Sequence, residues 1–284
     1  MMTKIMDGKF VSNIIINEFS EKVKKCTNLG FRKPSLAVII VGNDFASLNY
    51  VNNKKLACKK VGFSFFVYKL ENSVKEFYLL NLINRLNKNT CIDGIIVQLP
   101  LPKNINYIKV LNKISPKKDV DCFHPYNLGK FYYNKNSLLK PCTSNGIVTL
   151  LKYYNLNVSG MNTVIVGSSI LVGKPLIIEL LSLGCTITIT NSETKKLKYY
   201  ITNADLLIVG IGKSKYIPGK WIKKNSIVID VGINRTKCGK IVGDVNYEEA
   251  INKASYITPV PGGVGPMTIA MIIKNTFKMY KKKL

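Results

Sequence analysis

Histidine is nearly absent: His124 stands alone in the chain, so a nitrogen-rich metal site cannot be assembled and no metal is expected. Arginine is almost as scarce, occurring only at Arg32, Arg85 and Arg235, although the guanidinium fork is the preferred reader of phosphates and base edges. The 42 Lys and Arg outnumber 16 Asp and Glu, giving a formal net charge of +26. These lysines are spread along the whole chain without the clustered footprint of a dedicated nucleic-acid binder. Such a charge draws in anions without naming one. The seven cysteines are odd in number and form no C-x-x-C pair, which argues against a disulfide framework or a zinc site and for a reducing compartment. No stretch approaches the ~18 uninterrupted apolar residues of a membrane span, and MMTKIMDGKFVSNIIINEF lacks the pattern of a secretion signal. No membrane partner and a cytoplasmic location are expected.

What is present is apolar sequence in short bursts. With 284 residues, 46% of them hydrophobic, the chain is long enough for two domains and too apolar for a disordered one. Runs rich in Val and Ile recur between segments of helical period, the pattern of buried parallel strands joined by crossover helices. They are Ser35 to Gly42, Ser64 to Leu70 and Ile92 to Pro100, then Asn162 to Ser169, Cys185 to Thr190, Ala204 to Gly212 and Ser226 to Gly232. From Asp119 to Pro141 turn formers and aromatics interrupt both periods, which places a domain boundary near residue 140. Ile269, Ile272, Ile273 and Phe277 fall at helical spacing in a final lysine-ended helix, 266–284, expected to pack back on the first domain.

Several side chains carry potential chemistry. In SLNYVNNKKLACKKVG, a helix would align Ser47, Tyr50, Lys54, Ala57, Cys58 and Val61 on one stripe. Lys54 would then face the protein body beside Tyr50 and lose proton affinity, which suits a proton carrier near neutrality. Snorkelling of Lys54 to water is the competing reading. Gln98 interrupts the apolar run GIIVQLPLP at the carboxyl edge of the presumed sheet, where open α/β folds place ligands; it serves either a ligand or a strand-end cap. Asp119 and Asp121 straddle Val120. A carboxylate there can accept paired hydrogen bonds from an amidine-like edge such as a pterin's, or can close a local turn. In VIVGSSILVGKP a strand enters a glycine turn and then a helix, the form of a phosphate cradle. Gly167 and Gly173 are separated by five residues, so the spacing is neither the usual dinucleotide fingerprint nor a P-loop.

Taken in order, VGNDFASLNYVNNKKLACKKVG, GIIVQLPLP, KKDVDCFHPYNLGKF, PCTSNGIV, VIVGSSILVGKP, VIDVGINR and PVPGGVGPMTIAMIIKNT resemble the bifunctional methylenetetrahydrofolate dehydrogenase/cyclohydrolase family across essentially the whole chain. The resemblance implies two α/β domains, a folate-binding catalytic domain over 1–140 and a Rossmann-like dinucleotide-binding domain over 141–265, with an interdomain cleft. It implies oxidation of 5,10-methylenetetrahydrofolate and hydrolysis to 10-formyltetrahydrofolate, in one-carbon metabolism and purine biosynthesis, by a homodimer. Lys54, Tyr50, Gln98 and Asp121 take the catalytic positions. Tetrahydrofolate binding falls on Tyr50, Gln98, Leu99, Pro100, Asp121, Pro261, Gly262, Gly263 and Thr268. Dinucleotide contacts fall on Gly167, Ser168, Ser169, Ser192 and Ile233, with NADP as the cofactor and NAD as the alternative.

The chain departs from the family at Cys122, where glycine is usual, and at Ser168 and Glu193, where many members carry arginine. A side chain at position 122 is costly if the backbone needs positive φ. A carboxylate at 193 disfavours a 2′-phosphate, while Lys195 and Lys196 offer compensation. A monofunctional dehydrogenase with an impaired cyclohydrolase step and a basic nucleic-acid-binding protein remain the alternatives.

Overall fold

The computed structural model describes residues 2–133, 137–236 and 238–284. In chain order the elements are β1 (Lys4–Ile5), α1 (Gly8–Asn28), β2 (Ser35–Val41), α2 (Phe45–Val61), β3 (Ser64–Leu70), α3 (Glu76–Lys88), β4 (Gly94–Val97), α4 (Tyr107–Lys113), α5 (Pro125–Tyr133) and α6 (Cys142–Tyr153). They continue as β5 (Asn162–Val166), α7 (Gly173–Leu181), β6 (Thr186–Thr190), α8 (Leu197–Thr202), β7 (Leu206–Val209), β8 (Ile227–Asp230), β9 (Asn234–Arg235), β10 (Ile241–Val242), α9 (Tyr247–Ala250), β11 (Tyr256–Ile257) and α10 (Val264–Lys281).

The chain divides into two units. One contains Asn13–Cys142 and Ile269–Leu284. Its three-stranded sheet has the order β3-β2-β4 with parallel pairings. All seven residues of β2 are buried, because a central parallel strand is covered on both faces. Ile40, Val38 and Leu36 join one apolar cluster with Cys58, Val61, Ile272 and Phe277. Ala37, Ile39 and Val41 join a second with Leu79, Ile83 and Leu86 of α3. Period-two alternation in one strand thus feeds both layers. The expectation that Ser64 to Leu70 is a buried strand needs correction. β3 pairs only with β2, and Phe66 and Val67 are exposed. Within the segment expected to hold no period, residues 125–133 form α5.

The other unit contains the residues up to Ser12 and Thr143–Thr268. Its sheet has the order β1-β11-β8-β7-β5-β6, with every pairing parallel. β7 and β8 are buried throughout, with Leu207, Val209, Val228 and Ile257 in one core cluster. The first residues group here, and not with the 1–140 domain drawn from sequence. The cause is β1, which pairs in parallel with β11 through Lys4 with Tyr256 and Ile5 with Ile257.

Candidate active site and dinucleotide cradle

Helix α2 positions the lysine. Asp44 caps it by accepting from the Ser47 amide at 2.8 Å, and Gly62 ends it with φ 85°, the left-handed stop that glycine tolerates best. Between those caps Ser47, Val51, Lys54, Ala57, Cys58 and Val61 are buried. Lys54 retains only 3% exposure, so the snorkelling alternative is excluded. Its ammonium donates to Gln98 Oε1 at 2.8 Å and lies 4.9 Å from the centre of the Tyr50 ring. Burial lowers the Lys54 pKa, opposed chiefly by the charge of Asp121. The thiols nearby supply no anion: burial pushes Cys58 up to about 12 and raises Cys142 well above the usual thiol range. The Gln98 dipole, the Tyr50 π-face and Asp121 oppose the loss of water without cancelling it, so the net shift of Lys54 is downward.

Gln98 follows β4. Its own amide donates to Leu99 O at 2.8 Å, leaving Oε1 for the lysine. Ser47 Oγ reaches the same Leu99 carbonyl at 3.5 Å. Pro100 follows through a cis peptide bond and is exposed. Strand-end capping and lysine binding are thus both performed by one amide.

The local-turn reading holds for Asp119. Asp119 closes the local turn, accepting from the amides of Phe123 at 3.1 Å and His124 at 2.9 Å and from Asn127 Nδ2 at 2.8 Å. Asp121 is the carboxylate in the field of Lys54; burial lifts its pKa to about 6 against that attraction. Cys122 follows with φ 63° and no exposed surface.

The dinucleotide positions gather at the carboxyl edge of the six-stranded sheet. Gly167 leaves β5 at φ 116°, its amide donating to Thr190 O at the end of β6. A Cβ on Gly167 would lie 2.4 Å from Gly210 O, and one on Gly173 would lie 2.0 Å from Gly167 O. Both glycines are required for the backbone to close on itself, which explains the five-residue spacing. Val172 at the start of α7 offers no side-chain cap; instead Ser169 closes the turn, its Oγ accepting from the Val172 amide at 3.2 Å and its carbonyl from the Lys174 amide at 3.0 Å. Ser168 and Ser169 lie in this turn, and Ser192 lies just past the adjacent β6. Ser192 Oγ donates to Glu193 Oε1 at 3.1 Å. Ile233 follows β8 and is exposed. The hydroxyls of Ser168 and Ser169 are chemically able to donate to phosphate oxygens, whereas Ile233 offers only an apolar side chain.

Pro261, Gly262 and Gly263 follow β11. Gly262 has φ 111° and accepts from the Lys9 amide at 2.8 Å. Thr268 is buried on α10, donating to Thr143 Oγ1 and Val264 O at 3.3 Å each. Sequence reasoning did not find Asn275, whose buried amide donates to Val120 O at 2.8 Å. Its partner lies 155 residues away, so no local pattern announces it.

Comparison with known proteins places this geometry in context. Residues 6–121 match the family description "Tetrahydrofolate dehydrogenase/cyclohydrolase, catalytic domain", and residues 141–284 match its NAD(P)-binding domain. The chain is similar to the bifunctional FolD methylenetetrahydrofolate dehydrogenase/cyclohydrolase of Campylobacter jejuni, with 44% identity, coverage of 99% of this chain and 100% of that one, and a TM-score of 0.94. A 5,10-methylenetetrahydrofolate dehydrogenase of the silkworm Bombyx mori has 38% identity, 99% coverage of both chains and a TM-score of 0.92. The Trypanosoma brucei dehydrogenase-cyclohydrolase, solved with NADP cofactor and inhibitor, has 33% identity, coverage of 100% and 99%, and a TM-score of 0.95. The chain belongs to the tetrahydrofolate dehydrogenase/cyclohydrolase family.

Proposed function

We propose that the protein oxidises 5,10-methylenetetrahydrofolate to the methenyl form and hydrolyses that to 10-formyltetrahydrofolate. The observation that carries this reading is Lys54, sheltered at 3% exposure and bonded to Gln98 at 2.8 Å.

A dinucleotide held at Gly167, Ser168 and Ser169 would supply the hydride acceptor when bound. Loss of hydride leaves positive charge on the one-carbon bridge of the substrate, and a charged ammonium beside it would oppose that change. Burial favours a neutral Lys54 at this stage. In the hydrolytic step water adds to the bridge carbon, the bond from that carbon to N5 breaks, and N5 gains a proton. A neutral Lys54 takes one proton from the attacking water and delivers it to the departing N5. The second water proton leaves to solvent as the hydroxyl on the bridge carbon becomes the formyl C=O. Gln98 fixes the direction of the lysine, and Tyr50 lies against it. Asp121 in its ionised form accepts from the pterin edge. Leu99, Pro100, Pro261, Gly262, Gly263 and Thr268 are assigned to the substrate on the family resemblance.

Gly167, Ser168, Ser169, Ser192 and Ile233 are assigned to the dinucleotide. NADP is the proposed cofactor, supported by the family and by the NADP complex of the trypanosomal relative. NAD is the alternative because Glu193 stands beside Ser192 and repels a 2′-phosphate. A cytoplasmic homodimer supplying purine biosynthesis completes the proposal, on the resemblance of the whole chain. Family membership does not favour the monofunctional or nucleic-acid readings.

The test mixes purified protein with 5,10-methylenetetrahydrofolate and each nicotinamide cofactor and follows the methenyl and formyl products. Both products are expected, with little methenyl build-up. Persistent methenyl absorbance would indicate a dehydrogenase alone, and absence of both products would refute the reading.

A further inference from the structure

We propose that Asn275 of α10 and Cys142 at the start of α6 are positioning residues for Asp121, acting through the carbonyl of Val120. This rests on the assignment of Asp121 as the pterin acceptor.

The Asn275 side-chain amide is fully buried and donates to Val120 O at 2.8 Å and Lys140 O at 3.0 Å, with Cys142 Sγ at 3.4 Å. Cys142 Sγ donates to the same Val120 oxygen at 3.2 Å. The Val120 carbonyl and the Asp121 amide share one rigid peptide plane. Fixing that oxygen from two sides therefore fixes the plane from which the Asp121 Cα departs. On its other side Asp121 is followed by Cys122 in the left-handed region. The residue is held between a pinned peptide and a committed turn.

Asn275 is not explained by packing alone. Its neighbours Ile272, Ile273 and Phe277 are buried apolar side chains, and an apolar residue would serve that purpose. Its Oδ1 is buried without a hydrogen-bond partner among the described residues, a penalty that the paired Nδ2 must offset. Retaining an amide here secures the Val120 and Lys140 carbonyls, and displacements of about 1 Å in a binding group are costly to a reaction.

Asn275→Leu keeps the γ-branched shape, with a larger side chain, and removes both the donors and the orphaned oxygen. KM for the folate is expected to rise about 5- to 10-fold with KM for the dinucleotide within about 2-fold, and the acid limb of the folate kcat/KM profile is expected to move. Unchanged values in both, or equal rises in both, would overturn the assignment. Cys142→Ala decides the matter if Asn275→Leu does not fold. It should raise folate KM about 2- to 3-fold, by loss of one weak hydrogen bond, and Cys142→Ser should restore it. No change in Cys142→Ala, or no rescue by serine, would overturn the pairing. An inactive wild type would count against the function itself; active wild type with indistinguishable variants would count against the positioning alone.

Discussion

Asp121 keeps a carboxylate where burial opposes ionisation, lifting its pKa to about 6. A raised carboxylate pKa favours the folded state only while the group is protonated; that advantage is lost as pH rises from the unfolded value near 4 through 6. Asp121→Asn is therefore expected to stabilise the protein by about 3 kcal/mol at pH 7.5 and by little below pH 4. Denaturant unfolding at the two pH values measures the difference, and equal effects at both would contradict it. The same ionisation predicts that folate KM rises as pH falls through about 6. Cys122 poses the opposite balance. Its φ of 63° costs roughly 1–2 kcal/mol for a side chain, but the thiol fills the core beside Val120 and Leu139. Cys122→Gly should therefore change stability by less than about 1 kcal/mol, because backbone relief and lost burial offset each other. Thermal unfolding checks it. The family pattern exposed this position before any coordinates did, because a glycine replaced there flags the backbone angle. The roles of Asp119 and Asp121 were not separable by spacing; only the turn amides of Phe123 and His124 distinguish them.

Among the elements, the strongest expectation concerns the turn between β5 and α7. Gly173→Ala would place a methyl 2.0 Å from Gly167 O and 2.9 Å from its carbon, backbone atoms that cannot swing aside. Dinucleotide KM should rise more than about 10-fold with folate KM little changed, as steady-state titration of each substrate would show. Strands β2, β4, β5, β7 and β8 were legible because continuous Val and Ile runs are what double-sided burial requires. Strand β6, expected to be buried, is instead a mostly half-buried edge strand of alternating Thr and Ile paired only with β5. Strand β3 was legible as a strand but not as an edge, since composition does not record how many neighbours pair with it. Two-residue strands such as β1 and β11 carry too few residues for a period, and α5 is a short helix within a turn-rich segment.

At the scale of the whole molecule, the +26 charge acts through its field. Folates carry carboxylates and dinucleotides carry phosphates, so kcat/KM for both should fall as ionic strength rises from about 20 to 200 mM while kcat stays nearly constant. A salt-independent kcat/KM would assign the lysines to surface composition alone. The two-unit organisation was legible as two sets of strands. The return of Ile269–Leu284 to the first set was readable from an apolar helical stripe. The departure of the first residues to the second set, and the contact from Asn275 to Val120, depend on pairings between distant segments and leave no local trace.

The claim on which the chemistry turns is that the Lys54 amine is the proton carrier. Hydrolysis of 5,10-methenyltetrahydrofolate, followed against pH for wild type and Lys54→Met, measures this directly. Wild-type rate should rise with pH along a limb below the ordinary lysine range, since burial lowers the Lys54 pKa. Folded Lys54→Met should lose that limb and about 10²- to 10⁴-fold in rate. A Lys54→Met protein that hydrolyses the substrate at the wild-type rate with the same pH dependence would contradict it.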